Sequence, residues 1–212
     1  DQYQLRIKYA CQQRDFYVVF RSFNDNSKIN MASFTAILNL LAAAFTIVLQ
    51  IVTVLVILWF MFSKNRANDR FLKLVSHNAY IFGFLITVSG MVLSLIYSDV
   101  IGYVPCTLCW YSRILLYPEA LLLGLALWKE DRTITDYIIA LSGFGVILEI
   151  YQKYLELGGN AFIPCPASGP SCSKIYVLEF GYITIPVMAL TSFTFIFVTM
   201  LIHNYITKRN SR

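Results

Sequence analysis

The strongest constraint on what this chain can fold into is a run of 23 residues, positions 40–62, without a single charged side chain. At about 1.5 Å of rise per residue, a helix of that length exceeds the roughly 30 Å hydrocarbon core of a bilayer. A second charge-free run covers 74–97 and carries Gly83, Thr87, Gly90 and Ser94 at spacings of four, three and four. That small-residue stripe lets another helix approach closely. A third run, 110–128, is apolar except for Arg113 and Glu119, and Pro118 is expected to kink it. The fourth, about 133–151, is the weakest, diluted by Ser142, Gly143, Gly145 and Glu149; the fifth covers 182–205. With 58% hydrophobic against 14% charged residues, the composition agrees with five membrane spans. The net charge of +5 does not mark a nucleic-acid binder, because Lys and Arg fall in short segments between the runs.

Those segments set the expected topology. Lys64, Arg66, Arg70 and Lys73 follow the first run, Lys129 and Arg132 the third, and Lys208, Arg209 and Arg212 the fifth. If five spans alternate, all three groups lie on one side, the cytoplasmic side by the positive-inside rule. The loop before the third run and the loop 153–181 then face outward, with Lys153 and Lys174 as their clear positive charges.

Both outward loops carry cysteine pairs, Cys106 and Cys109 in the first and Cys165 and Cys172 in the second. Disulfides persist in oxidising compartments such as the periplasm or cell exterior. Inert packing is a poor explanation for Cys-x2-Cys beside a helix start and Cys-x6-Cys in a polar loop. A zinc site of four thiolates is a better rival, since two close pairs are the usual ligand pattern. A helix beginning near residues 106–109 would offer unpaired N–H groups and its positive dipole end to a thiolate, the reactive form in disulfide exchange. Arg113, four residues after Cys109, shares its helical face and is read as aimed at a thiolate or at the oxygen of a bound oxidant, rather than as an interfacial anchor. Cys165 and Cys172 sit among Pro164, Pro166, Gly169 and Pro170, which exclude a regular helix and present the pair to a soluble partner. Residues 174–180 are read as a brief helix along the bilayer surface.

Three motifs, in this order, carry a resemblance: Pro105-Cys106-Thr107-Leu108-Cys109-Trp110-Tyr111-Ser112-Arg113-Ile114-Leu115-Leu116-Tyr117-Pro118, the Cys165/Cys172 loop, and Phe180-Gly181-Tyr182-Ile183-Thr184-Ile185-Pro186. Over roughly residues 72–206 the chain resembles the bacterial disulfide-bond formation protein B family, DsbB, and most closely its BdbC-like branch. The resemblance implies an all-α, four-helix transmembrane bundle in the bacterial cytoplasmic membrane. Such a bundle binds a quinone, menaquinone or ubiquinone, and reoxidises a soluble, extracytoplasmic thioredoxin-fold (DsbA-like) thiol oxidase. It implies that Cys106 and Cys109 face the quinone, Cys109 nearer the ring, that Arg113 contacts it, and that Cys165 and Cys172 exchange with the partner. Electrons then pass from Cys165/Cys172 to Cys106/Cys109 to quinone.

The chain departs from the pattern in three places. Ser112 stands where many relatives have Gln or Glu. Near the end of the fourth run, where relatives place a quinone-contacting His or Gln, this chain has Glu149-Ile150-Tyr151-Gln152-Lys153; Gln152 or Lys153 serves, and Gln152 is favoured because a neutral amide needs no buried charge. An i,i+4 pair between Glu149 and Lys153 is the plainer alternative. The third departure is an extra N-terminal span. The expected organisation is a polar tail over 1–36, the extra helix over 37–63, the four-helix redox domain over 72–206 and a cytoplasmic tail over 207–212. Residues 1–30, with Cys11, are read as foreign to the natural product, whose translation would begin at Met31. Glu119 is read as hydrogen-bonded between helices rather than as a proton donor. Two other functions are kept as rivals: a vitamin K epoxide reductase-like enzyme, whose loop pair precedes its redox pair in sequence, and a metal-binding or scaffold membrane protein.

Overall fold

The computed structural model describes residues 28–63, 70–129, 133–160 and 172–210, with 28–32 and 210 described by backbone alone. Cys11, the tail before residue 28, and Cys165 lie outside the described residues. Among the described residues five helices are present: α1 (Lys28–Phe62), α2 (Arg70–Leu95, continued by one π turn at Ile96–Val100), α3 (Thr107–Lys129), α4 (Thr135–Glu156) and α5 (Ile185–Asn210). α1 begins at Lys28, upstream of the residue 37 expected from the apolar run. Four of the five helices, all but α3, are long and apolar enough to cross a membrane. In α3, Arg113, Pro118 and Glu119 dilute the run, and helix continues through Pro118.

By internal contacts the chain divides into two units, Asp1–Leu40 and Leu41–Arg212. In the first, the described part is the start of α1, and none of its described side chains is buried. In the second, α2 packs on α3, α3 on α4, α4 on α5, and α5 back on α2. This closed cycle of neighbours is the expected four-helix bundle, preceded by an additional helix. Its centre is lined by Ala79, Ile86, Leu123, Ile138, Ile196 and Met200. Large apolar side chains also point outward, among them Leu85, Leu121, Ile147 and Phe144, each more than half exposed. A protein in water would bury them, whereas lipid is as apolar as they are.

Small residues set how closely the helices pack. The α2 stripe meets α3: a Cβ on Gly83 would touch Leu123 at 3.3 Å, one on Gly90 would touch Leu116 at 3.4 Å, and Ser94 bonds Arg113. Gly145 of α4 is tighter still, since a Cβ there would lie 2.5 Å from the Phe193 ring of α5. α3 and α4 run antiparallel in a fixed register. Cys109 meets Gln152 and Glu119 meets Ser142, so ten residues forward on α3 match ten back on α4.

The segment before α5 differs from the expected surface helix. From Cys172 to Thr184 the chain makes turns and one isolated bridge, Glu179 with Ile183. It reverses through Phe180 and Gly181, whose φ values are 51° and 78°. Positive φ at two successive residues is incompatible with a right-handed helix, and Gly181 takes the second at no steric cost. The apolar residues of 174–180 pack inward in part: Val177 is 2% exposed.

Candidate active site

The site is built on the first turn of α3. Cys106 occupies the N-cap position: its carbonyl accepts the first helical bond from Trp110 N–H at 3.2 Å. Its Sγ lies 3.4 Å from the Cys109 backbone nitrogen, the place where a Ser or Asp oxygen usually caps a helix. The same turn brings the two sulfurs to 3.0 Å, neither of them in a disulfide. Cys-x2-Cys at a helix start thus faces one sulfur with the other across a single turn, under N–H groups that have no helical acceptor.

Three further groups converge on Cys109. Gln152 of α4, 5% exposed, points its amide Nε2 at Cys109 Sγ (3.4 Å) and less closely at Cys106 Sγ (3.8 Å). Arg113, 9% exposed, donates from Nε and Nη2 to the hydroxyl and carbonyl of Ser94, both at 2.9 Å, and lies over the Trp110 ring. It therefore acts on Cys109 through its charge rather than by a direct bond. Cys109 precedes the apolar run 110–128, and its thiol is drawn below the usual range. The Cys106 hydrogen bond is the largest cause, followed among the lowering influences by the Gln152 amide and the Arg113 charge, while burial opposes. Cys106 is pushed up, by its hydrogen bond to Cys109 and by burial. One proton held between two sulfurs thus stays on Cys106, and Cys109 carries the thiolate.

On the other side of Cys106 lies Cys172. The two are buried together with Leu108 and Leu155, with Cys109 and Tyr151 packed against them. The connecting segment is held there by aromatic contacts that the sequence pattern did not single out. Tyr103 stacks on Tyr97 and on Tyr176 at ring separations of 5.8 and 4.8 Å, and the Tyr176 hydroxyl donates to Val104 O at 3.0 Å. These residues lie just before Cys106 and just after Cys172. One tyrosine at the end of α2 and one in each of two loops were the available sign. Among the described residues, no three His, Cys, Asp or Glu side chains converge as a metal site requires.

The ionisable residues of the bundle sort themselves clearly. Glu119, fully buried, accepts a hydrogen bond from Ser142, which agrees with the structural reading of that residue. The alternative weighed for this region, a Glu149 to Lys153 pair, does not form: Lys153 reaches Glu156 at 3.0 Å and Thr184 at 3.3 Å. Lys153 turns toward the chain end of α4, where Thr184 also donates to Glu156 at 2.8 Å. Glu149 instead is 1% exposed, bonded by Ser112, with one carboxyl oxygen lacking any partner.

With this geometry in hand, comparison with known proteins is decisive. The family model described as Disulfide bond formation protein DsbB matches residues 76–203, well over half of the chain. This chain belongs to the DsbB family. The match takes in α3, α4 and most of α2 and α5, and leaves α1 outside. Two similar relatives come from Bacillus subtilis. The SPbeta prophage-derived disulfide bond formation protein B is 35% identical over 130 residues, 61% of this chain and 85% of the relative. Disulfide bond formation protein C is 38% identical over 119 residues, 55% of this chain and 85% of the relative. No solved structure matches the chain significantly. As a DsbB-family member it is a membrane, disulfide-generating thiol oxidoreductase, and a Cys-x2-Cys pair at a helix N-terminus suits that chemistry.

Proposed function

We propose that the chain is a thiol:quinone oxidoreductase of the bacterial cytoplasmic membrane, which reoxidises an extracytoplasmic thioredoxin-fold dithiol oxidase. Both cysteine pairs lie on the outer side, consistent with the Lys and Arg clusters at the opposite helix ends. The observation that carries the reading is the burial of Cys172 against Cys106, with Cys109 behind it.

Cys165 and Cys172 take electrons from the partner dithiol, and the Cys172 thiolate attacks Cys106 of the Cys106–Cys109 disulfide. A Cys172–Cys106 bond forms, the Cys106–Cys109 bond breaks, and Cys109 leaves as a thiolate. A leaving sulfur departs faster the better its charge is held, and here the helix N-terminus, Gln152 and Arg113 hold it. Cys165 then attacks Cys172, which re-forms the Cys165–Cys172 disulfide and releases Cys106, so the partner keeps its disulfide and Cys106 and Cys109 are left reduced. The residues around Cys109 suit a quinone: Gln152 and Arg113 are donors that a carbonyl oxygen accepts from, and the unpaired Glu149 oxygen gives the buried wall spare polar capacity. Bound there, menaquinone or ubiquinone supplies an acceptor for two electrons and two protons.

Purified full-length protein in detergent, given a reduced thioredoxin-fold dithiol protein and a quinone series, should form the substrate disulfide only when a quinone is present. Cys109→Ser should abolish it. Stoichiometric zinc with no turnover on any quinone would refute the proposal.

A further inference from the structure

The α3–α4 interface holds a carboxyl group of which one oxygen has no partner in the fold and no part in the thiol exchange. Glu149 lies one helical turn before Gln152 on the same face of α4, and Gln152 touches Cys109. The carboxyl is close enough to Cys109 for their charges to interact, is 1% exposed, and is bonded by Ser112 from α3. Its Oε1 has no hydrogen-bond partner. A buried acid with spare capacity costs stability unless something uses it.

Proton counting supplies the use. A Cys106 thiol with a Cys109 thiolate releases two electrons but only one proton as the disulfide closes. Reduction of a quinone to its quinol consumes two electrons and two protons, so each turnover from this state is one proton short. We propose that Glu149 is the internal acid that supplies this second proton beside Cys109. Cys106 gives up one proton, Glu149 gives up the other and becomes a carboxylate, and the balance closes. This inference rests on the quinone reading above. Glu149 is then reprotonated from the end of α4. There Glu156, 3% exposed at its side chain and within electrostatic reach of Glu149, pairs with the more accessible Lys153.

The surroundings leave few competitors. From α3, Cys109 and Ser112 face the carboxyl, and Arg113 is turned to Ser94. Its own helix contributes Glu156. α5 has no titratable side chain between Ile185 and Ile202. Glu119 also has one buried oxygen without a partner besides the one Ser142 bonds, but it lies ten residues beyond Cys109 on α3, about 15 Å deeper along the helix, so distance from the sulfur separates the two acids.

The test has two readouts. Without quinone, the infrared spectrum of the wild type should show a protonated carboxyl band that shifts when the Cys106/Cys109 pair is reduced. Glu149→Gln should remove that band and Glu119→Gln should retain it. With quinone, single-turnover oxidation of pre-reduced Glu149→Gln should slow by about 10²-fold, a usual contribution of a positioned acid. The rate should then rise as pH falls, because the proton must come from solvent, and Glu149→Asp should recover part of it. The rates are compared at saturating quinone, so a change in quinone affinity does not enter them. If the wild type reduces quinone and Glu149→Gln matches its rate and pH profile, or the shifting band survives in Glu149→Gln, the proposal is overturned. If the wild type reduces no quinone, the underlying functional reading fails instead.

Discussion

Cys109 and Cys106 differ by three positions in sequence yet are held in opposite electrostatic states. Cys109 receives the Cys106 hydrogen bond, the Gln152 amide and the influence of Arg113, while Cys106 keeps the shared proton. A lowered thiol value means that the thiolate exists at pH values where an ordinary cysteine is protonated, and disappears as pH falls through the lowered value. Removing one donor should raise that threshold. Hydrogen bonds to charged groups contribute about 1.5–3 kcal/mol, so Gln152→Leu should move the Cys109 titration up by about one unit or more. Thiolate ultraviolet absorbance in the reduced protein measures it; an unchanged titration would mean that the amide does not support the thiolate. Arg113 shows what the sequence could and could not disclose. Its place one turn after Cys109 was legible from helical spacing, but its anchorage to Ser94 of α2 was not, because that bond joins residues 19 apart on two helices.

At the scale of helices, the bundle was legible from charge-free runs and the stripe of small residues, since both follow from the solvent a membrane helix meets. The α3–α4 register was not, because it depends on side chains from two helices fitting one another. Gly145 shows how tight such a fit is between α4 and α5. A methyl group there meets the Phe193 ring at 2.5 Å, whereas one on Gly143 meets Phe197 at an ordinary 3.4 Å. Gly145→Ala should therefore destabilise the bundle by about 1–3 kcal/mol, the usual cost of overpacking, and lower its Tm in detergent. Gly143→Ala should change it little. Equal effects would show that α4 and α5 do not approach as closely as described. The expected surface helix at 174–180 failed for a local reason: residue type suggested amphipathic packing, but the Phe180-Gly181 reversal commits the segment to a turn.

Across the whole molecule, two loops far apart in sequence meet around Cys106. The Tyr97–Tyr103–Tyr176 stack and the Tyr176 bond to Val104 O hold them together. Aromatic pairs contribute about 0.5–1.5 kcal/mol beyond their buried area. Tyr103→Ala should accordingly slow electron transfer between the cysteine pairs several-fold while leaving the Cys109 thiolate titration unchanged; a change in both would place the tyrosines in the Cys109 environment instead. Cysteine spacing alone revealed two pairs, but not that Cys172 is buried against Cys106, since loop conformation decides it. On the proposed function that meeting joins the two pairs in one relay, and it can be measured by leaving only its two sulfurs. In a Cys11→Ser, Cys109→Ser, Cys165→Ser triple variant, mild oxidation followed by non-reducing mass spectrometry should yield one dominant linked peptide pair, Cys106 joined to Cys172. If both thiols remain open to alkylation under the same conditions, the loops do not meet and electrons cannot pass between them as described.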